Sequence, residues 1–363
     1  MKRPLYLDAA ATTPIDPEVE EVMLRYIREE FGNAGSRTHE YGVKAKQAVQ
    51  NARDQIAGVV AAKRDEVVFT SGATESNNLA ILGLRKHAEA TGKNHVVSTA
   101  IEHKAVLEPL EHLRDDYGFE VDFVRPDRSG AVDAEEIISR VRPQTLLVSV
   151  MHVNNETGII QPIDEISKSL TDTDVFFHVD AAQSFGKLIR PLENSRIDMI
   201  SISGHKICGP KGIGALVTRR RRYRRLPIEP LTFGGGQEWG LRPGTLPVFL
   251  IVALGQAAFA SRRDNSKRMV IYRSISEKLD NFLKPYKVTP VGDDERRLAC
   301  FKNLIFDGMD SEAVMVMMKD KISISNGSAC TSASYQKSHV LKAMGIGEEQ
   351  SSVRISWSHL LDW

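Results

Sequence analysis

The chain is poor in cysteine, in net charge and in long apolar runs, and each shortage removes a class of protein. Three cysteines in 363 residues, Cys208, Cys300 and Cys330, are an odd number without paired spacing. That excludes a disulfide framework and a Cys-based zinc site. Lys and Arg number 48 against 47 Asp and Glu, a net charge of +1, which argues against broad electrostatic capture of nucleic acid or membrane. No apolar run approaches the length of a membrane span, and the segment Met1 to Asp8 is too short in its apolar part for a signal peptide. A cytoplasmic location is therefore expected. No repeat, low-complexity tract or obvious linker divides the sequence.

What is present is an ordinary globular composition, 42% hydrophobic and 26% charged, with length enough for one large and one small domain. Strand-like and helix-like segments alternate. Short apolar runs at Glu66–Thr70, His95–Thr99, Phe119–Val124, Leu146–Val150, Val175–Val179, Ile197–Ile202 and Gly214–Thr218 read as strands. Helical patterns separate them, including one through Leu79, Leu82 and Leu84, one over Lys104–Tyr117, and one to Val141 opened by a capping-box-like Asp133 and Glu136. Continuous apolar strands parted by helices predict a mainly parallel sheet covered on both faces. From Thr245 a helical tract is expected to about Leu283. Beyond it an α+β set follows, with strands at Phe301–Phe306, Ile322–Ser325 and Val353–Trp357 and helices at Ser311–Lys319 and Ser338–Met344. The expected division is a large domain over residues 15–258 and a small one made of 1–14 and 259–363.

Ligands gather at the carboxyl ends of strands in such sheets. Thr74, His103, Asn155, Asp180 and Lys206 all fall at or just after the end of a strand-like run. Lys206 stands in Ser203-Gly204-His205-Lys206, before the glycine-rich Gly209-Pro210-Lys211-Gly212-Ile213-Gly214. It reads either as a surface lysine on a loop or as a reactive amine at a pocket edge. The second reading gains from Asp180 in His178-Val179-Asp180-Ala181-Ala182-Gln183. A carbonyl-reactive lysine with a nearby acid to keep a ring nitrogen protonated is what pyridoxal phosphate chemistry needs. Ser71-Gly72-Ala73-Thr74 opens a helix and is either a plain cap or a phosphate site. His103 can stack on a ring or move a proton, Asn155 and Gln183 can bond ring substituents, and Arg354 on a strand suits a carboxylate. Cys208 and Cys300 read as packing residues. Cys330, in the small polar run Ser325–Ser334, reads as an accessible and reactive thiol.

Taken together these segments resemble the cysteine desulfurases of the class V aminotransferases, fold-type-I pyridoxal phosphate enzymes. The resemblance runs from Asp8-Ala9-Ala10-Ala11-Thr12-Thr13-Pro14 almost to Trp357 and includes Phe31-Gly32-Asn33, Glu102-His103-Lys104, His152–Glu156, Gly234-Gly235-Gly236-Gln237 and Arg242-Pro243-Gly244-Thr245. It implies an α/β large domain with a mainly parallel seven-stranded sheet plus a smaller α+β domain. It implies that Lys206 holds pyridoxal 5'-phosphate as a Schiff base, that Asp180 pairs with the ring nitrogen, and that His103 stacks over the ring. The turn carrying Ala73 and Thr74, with Ser203 and His205, would hold the phosphate, joined by Thr245 from the partner subunit of a homodimer. Asn155 and Gln183 would contact ring substituents, Asn33 and Arg354 would orient the carboxylate of L-cysteine, and Cys330 would take its sulfur as a persulfide for an acceptor protein.

The run around Cys330 resembles the subgroup with a long catalytic loop. Asp8–Ala11, Gly32-Asn33-Ala34-Gly35-Ser36-Arg37 and Arg242–Thr245 are most similar to desulfurases of DNA phosphorothioation systems. The alternatives are a housekeeping donor for iron–sulfur clusters or tRNA thiolation, and a selenocysteine lyase or aminotransferase of the same fold. The sequence stops at Trp363, where relatives usually continue through a helix and tail that dock a scaffold, which counts against scaffold delivery. Arg219–Arg225 is the one strong basic run; it is expected to be a solvated loop or a protein-partner patch, with no direct DNA contact.

Overall fold

The computed structural model describes residues 3–326, 338–347 and 350–363. In chain order, strand β1 (Leu5–Tyr6) leads to helices α1 (Pro17–Arg28) and α2 (Glu40–Val59). Then come β2 (Val67–Thr70), α3 (Ala73–Leu82), α4 (Arg85–Thr91), β3 (His95–Thr99), α5 (Lys104–Tyr117), β4 (Glu120–Val124), α6 (Ala134–Ser139) and β5 (Thr145–Met151). The alternation continues through α7 (Ile163–Ser169), β6 (Phe176–Asp180), α8 (Ile189–Leu192), β7 (Met199–Ser203) and β8 (Gly214–Thr218).

Strands β2 to β8 form one seven-stranded sheet in the order β2-β8-β7-β6-β5-β3-β4. Every pairing is parallel except those of β8, which runs against both β7 and β2. The sheet is therefore mainly parallel, with one reversed strand. Its side chains alternate between two cores. Val67, Phe69, Val148, Val150, Ile200 and Ile202 belong to one face, and Val68, Leu147, Met199 and Leu216 to the other. Burial on both faces explains why these strands read as unbroken apolar runs.

Local chemistry sets the helix ends. Asp16 caps α1 and Pro17 stands at its first turn. Helix α5 ends on Gly118, whose φ of 68° is the left-handed conformation that glycine adopts without strain. Asp133 caps α6 through the Glu135 N–H, and the helix stops at Ser139, short of Val141. The expected tract from Thr245 to Leu283 is two helices, α9 (Val248–Arg263) and α10 (Asn265–Leu283), parted at Asp264.

The remaining elements are β9 (Val288–Pro290), β10 (Phe301–Phe306), α11 (Ser311–Met318), β11 (Ile322–Ser323), α12 (His339–Ala343) and β12 (Val353–Ser356). β12, β10 and β9 form an antiparallel sheet, and β1 pairs with β11. Their core contains Leu7, Tyr272, Leu279, Cys300, Leu304, Phe306, Ile355 and Trp357. No helix among the described residues is long and apolar enough to cross a membrane.

The basic run is largely structural. Arg219 is buried and donates to the carbonyls of Asn194, Ile197, Leu192 and Val60. Arg220 pairs with Asp65, and Arg221 with Asp198. Arg225 lies 4.4 Å over the Trp239 ring, and Arg222, Arg224 and Arg225 are all exposed.

Candidate active site

The carboxyl ends of β2, β3, β5, β6 and β7 all open on one side of the sheet, and the reversed β8 begins there. A cavity of about 490 Å³ lies at that edge. Ala73, Thr74, His103, Asn155, Asp180, Gln183, Ser203, His205, Lys206 and Arg354 line it, with Ala10 and Ala11 from the N-terminal segment. Thr74, His103, Asn155, Asp180 and Lys206 meet because each ends or follows a strand of the large sheet, whereas Arg354 reaches the cavity from β12 and Ala10 and Ala11 from the N-terminal segment.

Asp180 ends β6 with its carboxylate fixed at both oxygens. Asn77 Nδ2 donates to Oδ2 at 2.7 Å and the Ala182 N–H to Oδ1 at 2.9 Å. Lys206 closes the turn after β7, and its amine donates to the Ala10 and Ala11 carbonyls. Thr13 clamps the same turn, because its N–H and hydroxyl both bond the His205 carbonyl at 3.0 Å. His205 is pushed down to about 4 by burial and by Lys206 and Lys211, which leaves its ring neutral.

His103 caps α5 with its side chain. Nδ1 accepts from the Ala105 N–H at 3.1 Å, which places the ring proton on Nε2. Its neighbour Glu102 is fully buried, accepts from the Thr99 hydroxyl and the Met151 N–H, and is pushed up to about 8 by burial. Arg354 sits on β12 with 4% of its side chain exposed. It donates from Nη2 to Asp8 Oδ1 at 2.8 Å and from Nη1 to the Asn155 carbonyl at 2.9 Å.

Residues 5–360 match the Aminotransferase class-V family. The chain belongs to that family. Cysteine desulfurase IscS of Shewanella oneidensis is 45% identical over 361 residues, which are 98% of this chain and 88% of that protein. The crystal structure of DndA from Streptomyces lividans superposes with a TM-score of 0.85 at 49% identity, covering 97% of this chain and 99% of that one. A structure of SspA in complex with cysteine gives a TM-score of 0.84 at 36% identity, covering 99% and 100%.

Class-V aminotransferases use pyridoxal phosphate, and the cavity of this member fits it. An amine, a clamped carboxylate and an imidazole face the same space, beside the turn Ser71–Thr74 at the start of α3. Two buried amide oxygens there, Asn155 Oδ1 and Gln183 Oε1, have no hydrogen-bond partner among the described residues, as expected of groups that bond a ligand. The Gln183 amide nitrogen is tied to the Ala10 carbonyl at 3.0 Å.

Two expected residues lie away from this cavity. Asn33 is exposed, with its Oδ1 accepting from the Gly35 N–H at 2.8 Å. Thr245 is exposed, a position open to the partner-subunit role that the family resemblance implies. Cys330 lies outside the described residues, and Cys208 and Cys300 are buried. Several contributors escaped the sequence reading. Asn77 stands one helical turn after Thr74 and so on the same side of α3, which is the signal that could have found it. Asp8, Glu102 and the Ala10 and Ala11 carbonyls belong to segments that carry the resemblance, but the sequence assigns them no role, since that arises only from what the fold sets beside them.

Proposed function

We propose that this chain is a pyridoxal phosphate-dependent cysteine desulfurase that converts L-cysteine to L-alanine and takes the sulfur on Cys330 as a persulfide. The observation that carries this reading is the meeting of Lys206, Asp180 and Arg354 at one cavity, an amine, a fixed acid and a carboxylate-binding guanidinium. The likeness to proteins named cysteine desulfurase, and to a structure holding cysteine, supports it.

Lys206 would carry the cofactor through its amine. Asp180, held by Asn77 and Ala182, would accept from a protonated ring nitrogen, and Asn155 and Gln183 would bond ring substituents. Ala73, Thr74, Ser203 and His205 would take the phosphate. Once bound, the cofactor supplies an electron sink for the substrate's α-carbon. The Lys206 amine would be placed to take the substrate's α-proton, and His103 would offer Nε2–H for proton transfer. Arg354 would orient the substrate carboxylate. Cys330, as thiolate, attacks the substrate sulfur; an S–S bond forms as the carbon–sulfur bond breaks, and the carbon fragment leaves as alanine after protonation. Incubation of the purified holoenzyme with L-cysteine should yield alanine and a persulfide on the Cys330 peptide, read by mass spectrometry. Neither product would end the proposal.

The reading extends to a homodimer in the cytoplasm, with Thr245 reaching the partner's phosphate. The exposed aromatic side chains Phe31, Tyr41 and Phe233, at 67%, 51% and 89% exposure, support burial against a second copy. It also extends to two domains. The boundary is better set at Asp264 than at 258, because α9 is one continuous helix whose buried face belongs to the large core, whereas α10 contributes to the core around Trp357.

For the sulfur's destination we favour an acceptor protein of DNA phosphorothioate modification, on the resemblance of Asp8–Ala11, Gly32–Arg37 and Arg242–Thr245. The 49% identity with DndA stands beside the 45% with IscS. The second reading, a housekeeping sulfur donor, draws on those IscS relatives. Deleting the gene separates the two: loss of phosphorothioate linkages from host DNA supports the first, and loss of iron–sulfur enzyme activity with those linkages intact supports the second.

A further inference from the structure

The turn proposed to take the cofactor's phosphate has a carboxylate built into it. Helix α3 starts after Gly72 with no side-chain cap. Instead, Glu75 in its first turn folds back, and its Oε2 accepts from the Ser71 N–H at 2.6 Å. A negative charge in the first turn favours the helix, yet the same charge opposes a dianionic phosphate at the same terminus.

A second charge answers it. Arg242 donates from Nε to Glu75 Oε1 at 3.0 Å, so the two carboxylate oxygens are divided between the turn and the arginine. Arg242 arrives on a segment that the fold holds at some cost. Glu238 and Trp239, just before it, have φ of 50° and 55°, a conformation that residues other than glycine avoid. Such backbone persists only where the surroundings over-determine it. Here Glu238 is buried in an ion pair with Arg53 and accepts from the Phe69 N–H at 2.8 Å. The Arg53 guanidinium lies 4.6 Å from both the Phe69 and Trp239 rings. Phe69 belongs to β2, which runs directly into the turn. The segment is thus fastened to the strand that delivers the phosphate turn, and the residue it delivers in return is Arg242.

We propose that Arg242 is a positioning residue for the cofactor's phosphate, neutralising Glu75 so that the Ser71–Thr74 turn can accept a dianion. This rests on the reading that this turn takes the phosphate. The test is reconstitution of the full-length apoprotein, titrated by absorbance with pyridoxal phosphate and, separately, with pyridoxal. Arg242→Gln should weaken pyridoxal phosphate binding about fivefold, the scale of a partly exposed charge pair, and leave pyridoxal binding unchanged. Glu75→Gln, which keeps an oxygen for the Ser71 N–H, should restore binding to within about twofold of wild type when added to Arg242→Gln. Equal weakening of both ligands, or a double variant no better than Arg242→Gln, would show a purely structural link and overturn the proposal. Unaltered binding in Arg242→Gln would overturn it as well. A wild-type protein that binds no pyridoxal phosphate would instead remove the functional reading beneath it.

Discussion

Asp8 Oδ1 is shared by Arg354, whose Nη2 donates at 2.8 Å, and by Ser325, whose hydroxyl donates at 3.0 Å. One carboxylate oxygen therefore joins the N-terminal segment, β12 and the residue two positions beyond β11. With Arg354 buried, the pair orients the guanidinium and balances its charge, which under the proposed role would preset it for a substrate carboxylate. Removing one partner of such a pair leaves the other without its counter-charge. Asp8→Ala should raise KM for L-cysteine on the order of tenfold while kcat changes little, because the loss falls on substrate orientation. Asp8→Asn, which keeps an acceptor, should fall between. Steady-state kinetics with unaltered cofactor absorbance check this, and an unchanged KM would show that Asp8 does not set the guanidinium's orientation.

The two chemical roles separate cleanly by variant. Lys206→Ala should lose the cofactor label that borohydride reduction fixes on the protein, and with it nearly all alanine formation. Cys330→Ser should keep that label and the cofactor colour but form no persulfide. Sulfide release at the wild-type rate by Cys330→Ser would remove Cys330 from the reaction.

Glu102 gives a pH signature. Burial raises its carboxyl to about 8 in the folded protein, from an ordinary value of 4.5. A raised folded-state value means that the native state holds the proton more tightly than the unfolded chain. Its contribution to stability is thus full below about pH 4.5 and is lost as pH rises towards 8. Glu102→Gln should flatten that decline, so its denaturation midpoint should gain on wild type at pH 8.5 relative to pH 5. Parallel curves for the two proteins across this range would show that Glu102 does not titrate as described.

Gly214 fixes the approach of two turns. It pairs with Ser203 on one side and Thr70 on the other. A Cβ there would meet the Ile202 carbonyl oxygen at 2.4 Å and the Gly72 Cα at 2.6 Å. Both are backbone, so neither can swing aside. Gly214→Ala should cost about 1–3 kcal/mol of stability and loosen cofactor retention, measurable by chemical denaturation and by dialysis of the holoenzyme.

The strands were legible because each central run is apolar on both faces; His95–Thr99, Gly214–Thr218 and Phe301–Phe306 match their predicted bounds. The break at Asp264 is hidden because the polar run Ser261–Arg268 around it is as compatible with the exposed face of one long helix as with a boundary. Within the cavity, Lys206, Asp180 and His103 stood out by chemical type at strand ends. Asp8, Asn77 and Glu102 did not, since a carboxylate or amide acquires its meaning from a partner 346, 103 or 49 positions away. Arg242 was read as part of a motif, while its bond to Glu75 depends on a backbone turn that no periodicity announces.

Arg219 changes what the basic run can mean as a surface. With four carbonyls from two segments, Val60 and Leu192–Ile197, gathered on one guanidinium, it works as a keystone, and the seven-residue stretch around it is a joint more than a charge display. Replacing the whole stretch with alanine would register a collapsed joint as a lost contact. Any search for an acidic partner here has to confine itself to Arg222, Arg224 and Arg225, the arginines of the run that the architecture leaves exposed.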